Sequence, residues 1–144
     1  MTGRPTTNVR AAVPEDEAAI HTLAAGMATS FVVERESFQR SLVDVLASET
    51  AVLLVAETDS AISGYVLGFT HPAFYANGHV AWVEEIVVAP KLRRQHIGAT
   101  LMDEFERRAL TTGALVVALA TRRASDFYSA LGYQESATYY RKIL

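Results

Sequence analysis

Between Val83 and Leu101 the chain runs from two carboxylates, Glu84 and Glu85, through an apolar stretch ending at Pro90. It continues into a basic turn, Arg93-Arg94-Gln95-His96, and a small-residue pair, Gly98-Ala99, that opens an amphipathic segment. That order builds an anion site. The first turn of a helix carries amides without intrahelical partners, and with the helix dipole they favour a phosphate placed there. Arg93 and Arg94 add full positive charge, while Gly98 and Ala99 let a bulky diphosphate approach the backbone. The glycines follow neither G-x-x-x-x-G-K-S/T nor G-x-G-x-x-G, so a nucleoside-triphosphate loop and a dinucleotide turn are unsupported. Glu84 and Glu85 stand in an otherwise apolar strand, a costly place unless they face a cavity or a partner. Alternation sets Glu84 with Trp82, Ile86 and Val88, and Glu85 on the opposite face with Val83 and Val87, so only one faces a given pocket. The four histidines, His21, His71, His79 and His96, lack paired metal-site spacing. With no cysteine either, no metal is assigned.

The elements that must position these groups follow from periodicity. After a loose tail over residues 1–7, a short strand is expected at Asn8 to Ala12. Pro14-Glu15-Asp16-Glu17 starts a helix, because proline suits its first turn and acids suit its positive end. Ile20, Leu23, Ala24 and Met27 share one face of that helix. Phe38, Leu42, Val45 and Leu46 repeat at helical spacing in a second, from about Ser37 to Leu46. Strands at Ala51 to Glu57 and Ala61 to Thr70 are joined by a hairpin turn at Thr58-Asp59-Ser60. Gly64 and Gly68 inside the second of these indicate a bulge or a close approach. His71 to Gly78 reads as a loop whose His71, Phe74, Tyr75 and Asn77 could line an acceptor pocket, and Trp82 to Val88 as the next strand. Leu115 to Ala120 is apolar enough for a strand buried on both faces. Ala124 to Gly132 is a short helix, with Gly132 where a left-handed residue would end it, and a further strand follows.

At 144 residues with 50% apolar content, the chain fits one soluble globular domain over residues 1–144. A net charge of −3 argues against nucleic-acid or membrane-surface binding. The absence of cysteine excludes disulfides and a thiol nucleophile. No apolar run approaches the roughly 20 residues that span a bilayer, and residues 1–10 lack a hydrophobic signal core, so a cytoplasmic protein is expected.

The strand, basic turn and helix resemble the acyl-coenzyme A signature of the GNAT N-acetyltransferases, Q/R-x-x-G-x-G/A. Arg93-Arg94-Gln95-His96-Ile97-Gly98 falls on it, with His96 where the first glycine usually stands. Ala124-Ser125-Asp126-Phe127-Tyr128-Ser129-Ala130-Leu131-Gly132-Tyr133 resembles the family's A-x-x-F-Y-x-x-L-G-F/Y segment. The two motifs lie in the family's order, and the resemblance covers about Val52 to Tyr140. It implies an α/β (α+β) GNAT fold: a mixed, mostly antiparallel central sheet with a splayed middle strand, flanked by helices.

The resemblance also implies roles. Acetyl-coenzyme A is the cosubstrate. Its diphosphate lies on Arg93, Arg94, Gln95, His96, Ile97, Gly98, Ala99 and Thr100. Its pantetheine arm lies along Ile86, Val87 and Val88, where the strand parts from its neighbour. Thr121 stands where relatives often carry a cofactor-binding asparagine. Tyr128 occupies the place of the tyrosine beside the sulfur, and with a reference pKa near 10 it holds a donatable proton at neutral pH. W-V-E-E-I-V-V resembles a strand of amine-acetylating relatives, which makes Glu84 the favoured base and leaves Glu85 to bind substrate or make a structural ion pair; Tyr75 and Asn77 of the preceding loop are the further substrate candidates. The expected activity is direct transfer of acetyl to a small amine in a ternary complex. A protein acetyltransferase acting on lysine or an N-terminus and a non-catalytic acyl-coenzyme A-binding module are the alternatives. The apolar C-terminal end, Tyr133, Tyr139, Tyr140, Ile143 and Leu144, is a candidate homodimer surface.

Overall fold

The structure is a computed structural model describing residues 6–28 and 30–144. The tail expected over residues 1–7 lies mostly outside the described residues; Thr7 already belongs to the first strand. Five strands form one sheet in chain order: β1 (Thr7–Ala11), β2 (Ala51–Thr58), β3 (Ala61–Ala73), β4 (Gly78–Val88) and β5 (Ala114–Leu119). The first four are antiparallel, and β5 joins β4 in parallel. A parallel neighbour needs a crossover, supplied by helix α3 (Ile97–Thr111). Helices α1 (Glu17–Met27) and α2 (Arg35–Ala47) cover the other face, and a short α4 (Ser125–Ala130) follows β5.

The two glycines of β3 are explained by α3. A Cβ at Gly64 would stand 2.7 Å from the Val87 carbonyl oxygen and 3.2 Å from Leu101. One at Gly68 would overlap the Phe105 ring and stand 2.6 Å from the Trp82 carbonyl oxygen. Leu101, Met102 and Phe105 of α3 are completely buried against Leu54, Val66, Ala81 and Val83. On the opposite face Ile20, Leu23 and Ala24 of α1 meet Val55, Tyr65 and Val87. The α1 helix is entered through a 3-10 turn, Pro14–Asp16, where the buried Asp16 carboxylate takes a two-pronged bond from Arg10 of β1, at 2.7 and 2.9 Å.

Four expectations are corrected. The stretch from His71 to Gly78 is a hairpin rather than a loop: β3 runs on to Ala73, a 3-10 turn spans Phe74–Ala76, and Asn77 turns the chain at φ 56° before β4 begins. β5 is an edge strand rather than one buried on both faces, with Leu115 65% exposed. No strand follows α4 among the described residues, so nothing covers that edge, and Tyr139, Tyr140, Ile143 and Leu144 are exposed. Strict alternation fails in β4, because a bulge sets Leu67 opposite Glu85 and Gly68 opposite Val83, leaving Glu84 as the extra residue.

Candidate active site

The bulge decides where the carboxylates go. Val83, Ile86 and Val88 all pack toward α3, although two residues separate Val83 from Ile86. Trp82, one step from Val83, therefore points to the α1/α2 side, and its indole N–H donates to Glu84 Oε2 at 3.0 Å. Glu85 points the same way and lines a cavity under α1 and α2. The expectation of opposite faces is thus corrected: both carboxylates leave the sheet on one side, Glu84 exposed and Glu85 half-buried.

Glu85 accepts a hydrogen bond of 2.7 Å from Tyr65, whose ring is 1% exposed. Burial, with the Glu85 charge behind it, raises the phenol far above its ordinary value, so it stays a donor across the working pH range. Sequence reasoning missed Tyr65. Its signal was a tyrosine in an apolar strand, since a buried phenol seeks a polar partner. Tyr75 and Asn77 do not join this site. They sit at the far end of the β3–β4 hairpin, seven residues of β4 from Glu85, or about 24 Å at about 3.4 Å per residue.

β4 and β5 pair only as far as Val83 and Leu119. Beyond that point Glu85 to Val88 keep their partners in β3 but have none on the β5 side. This is the splay that the resemblance implied, and it leaves backbone donors and acceptors of Ile86 and Val88 open toward α4. Val87 turns its side chain into the α1 cluster and its carbonyl toward β3, so it does not border the opening.

At the head of α3, Arg94 and His96 hold left-handed conformations, φ 69° and 63°. No side chain caps the helix, so its first amides point outward without a partner. Left-handed residues set among right-handed ones turn successive N–H groups into an anion-binding concavity. The conformation at His96 also explains the family glycine at that position: glycine adopts it without steric cost, and histidine is among the side chains found there more often than most. The loop amides, Arg93 and Arg94 and the splayed backbone therefore fit a ligand with a diphosphate and an amide-bearing arm.

α4 closes the opening. A Cβ on Gly98 would lie 3.2 Å from Phe127 and 3.8 Å from Val88, so the starts of α3 and α4 and the end of β4 meet at one point. The next residue, Tyr128, packs edge-on between Phe127 and Tyr133, with centroids 4.9 and 5.8 Å away. Burial raises its phenol above the ordinary value. The helix ends as expected, with Gly132 at φ 94° and bonds from Tyr133 N to Tyr128 O and Gly132 N to Ser129 O. Thr121 accepts a bond from the Ala124 amide at 3.1 Å, closing the turn that precedes α4 and leaving its own hydroxyl proton free.

The sheet thus opens between β4 and β5, with the uncapped start of α3 on one side and the two carboxylates on the other. The acetyltransferase (GNAT) family model matches residues 15–133, and the chain belongs to that family: it is an acyltransferase. It is 28% identical over 150 residues to an aminoalkylphosphonate N-acetyltransferase of Salmonella typhimurium, covering 97% of this chain and 93% of that one. In structure it is similar to glucosamine-6-phosphate N-acetyltransferase from Arabidopsis thaliana, with a TM-score of 0.84, 19% identity, and 96% and 98% of the two chains covered. It is equally similar, at 0.84, 17% identity and 96% and 95% coverage, to an aminoglycoside N-acetyltransferase solved in complex with coenzyme A. No helix among the described residues is long and apolar enough to cross a membrane.

Proposed function

We propose that this enzyme transfers acetyl from acetyl-coenzyme A to a primary amine of a small molecule, by direct attack within a ternary complex. The observation that carries the reading is the β4 bulge, which holds two carboxylates on the acceptor side of a sheet opened beside an anion loop. The residues from Arg93 to Thr100 hold the diphosphate, and the Ile86 and Val88 backbone takes the pantetheine arm. Thr121 offers one hydroxyl donor beside it. Acetyl-coenzyme A supplies the activated thioester carbonyl.

Glu85 receives the acceptor as an ammonium and takes its proton through the carboxylate oxygen not engaged by Tyr65. Glu84, open to water on the same face, passes that proton on. The neutral amine attacks the carbonyl carbon, the new C–N bond forms, and the C–S bond breaks. Tyr128, kept protonated by burial, donates to the departing thiolate. This revises the choice of Glu84 as the direct base, because Glu85 is the carboxylate inside the cavity. The cavity's walls on α1, α2 and the sheet favour a small molecule over a protein chain.

Calorimetry with acetyl-coenzyme A, followed by coenzyme A release against pooled amines and peptides, tests the reading. Gly98→Val should weaken cosubstrate binding at least tenfold, about 1.4 kcal/mol. Tyr128→Phe should lower kcat by about 10²–10⁴-fold with cosubstrate affinity kept. Wild-type turnover in Tyr128→Phe would reduce that residue to packing.

The same chain carries both halves of a pairing surface: the uncovered edge of β5 and the exposed apolar segment from Tyr139 to Leu144. An unpaired strand edge is a ready template for a second chain. The reading is a homodimer in which each C-terminal segment covers the partner's β5 edge, and a monomer in light scattering across micromolar concentrations would overturn it.

A further inference from the structure

The cavity under α1 and α2 encloses about 360 Å³, within the range of roughly 300–1,000 Å³ usual for small-molecule sites. Its wall is apolar, built from Ile20 and Ala24 of α1, Phe38 and Leu42 of α2, and Leu53 and Leu67 of the sheet. Among the described residues its carboxylates are Glu85 on the floor and Glu34 on the rim. Among the described residues no arginine, lysine or histidine lines it. Arg40 touches it only from outside, donating to Ser37 Oγ at 3.1 Å from an exposed position. Arg35 is turned away to Glu17, at 2.9 and 3.1 Å.

That chemistry differs from what the names of the relatives would ask of it. A phosphonate or phosphate carried into this space would lose its water and meet two carboxylates with no cation on the wall. An ammonium on an apolar body meets the opposite: its charge pairs with Glu85 and Glu34, and its body buries surface against the aliphatic and aromatic wall. We propose that the acceptor is a primary monoamine with an uncharged apolar body, aryl or branched aliphatic, and not an aminoalkylphosphonate or an amino-sugar phosphate. The proposal rests on the acetyl-transfer reading above and names the substrate class of that site.

The test compares initial rates of coenzyme A release with phenethylamine, isoamylamine, 2-aminoethylphosphonate and glucosamine 6-phosphate. Phenethylamine and isoamylamine should show kcat/KM at least a hundredfold above the two anionic amines. An anionic amine used as well as an apolar one would overturn the proposal while leaving acetyl transfer intact. Binding of phenethylamine and 2-aminoethylphosphonate to the wild-type enzyme saturated with coenzyme A, measured by calorimetry, reads the cavity without turnover. Saturable binding of the first alone supports the proposal even if no transfer is seen, and binding of the second alone, or of neither, overturns it. Ser41→Arg puts a cation on the wall at an exposed position where the fold tolerates it. It should raise the KM, or the calorimetric Kd, of phenethylamine at least tenfold with acetyl-coenzyme A affinity within twofold; an unchanged amine value would overturn the proposal.

Discussion

The two faces of the sheet are built on different principles. Toward α3 the packing is closed: Leu101, Met102 and Phe105 are fully buried, and β3 lies so near the helix that only glycine fits at residues 64 and 68. Toward α1 and α2 the packing stops short, leaving a cavity, and the anchor at the head of α1 is the Arg10–Asp16 ion pair rather than an apolar contact. The closed face fixes the β4–α3 geometry, on which the uncapped turn before α3 and the splay depend. The open face holds the cavity, and the Glu84 and Glu85 carboxylates leave the sheet on that side. Rigidity and vacancy are thus divided between opposite sides of one strand.

Equal deletions on the two faces would sharpen this contrast most. Leu101→Ala should cost about 4 kcal/mol, because a densely packed site collapses poorly around the space left. Leu42→Ala, whose side chain already borders a cavity, should cost about 2 kcal/mol. Denaturant unfolding of both variants measures the gap, and equal losses would mean that the faces do not differ in packing.

The next largest effect concerns the floor of the open face. Glu85→Gln should lower kcat/KM by about 10²–10³-fold at neutral pH. The loss should shrink as pH rises toward the amine's own value, near 10.4 for a lysine-like amine, because the substrate then arrives neutral. A flat pH dependence of the wild-type to variant ratio would show that Glu85 only binds.

Asp16 tests the anchor. Hydrogen bonds from Arg10 hold its carboxyl below the ordinary carboxylate range. A group whose value is lower folded than unfolded contributes fully above the unfolded value, and the contribution disappears as pH falls through the folded one. Asp16→Asn should therefore lower stability by about 2 kcal/mol at pH 7, with the difference closing in acid. Melting curves from pH 7 down into acid read it, and a difference that does not shrink as pH falls below the ordinary carboxylate value would assign the loss to packing. The smallest effect belongs to Glu84, exposed and bonded to Trp82. Glu84→Gln should lower kcat/KM by about tenfold, and a loss exceeding that of Glu85→Gln would exchange their roles.

Helix positions were legible because amphipathic periods and end signals are local: Pro14 to Glu17, the Phe38 to Leu46 spacing and Gly132 each act within a turn or two. The anion loop was legible for the same reason. Even the departure at His96 is local, since its left-handed backbone is what the family glycine ordinarily supplies. The β4 face assignment was not legible. One extra residue in a ladder changes which side chains share a face while leaving no mark on composition, and whether Val83 pairs with Gly68 is settled by the packing of β3 on Phe105. The exposure of β5 was likewise hidden, because an apolar run looks the same whether or not a further strand covers its edge. Tyr65 became a site residue only when β3 paired with β4 and brought its hydroxyl to Glu85 across 20 positions of sequence. The sequence by itself determined the helices, the order of the five strands and the family. Tertiary structure alone decided the faces, the cavity and the partnership of the two carboxylates, because these depend on register and on contacts between residues far apart in the chain.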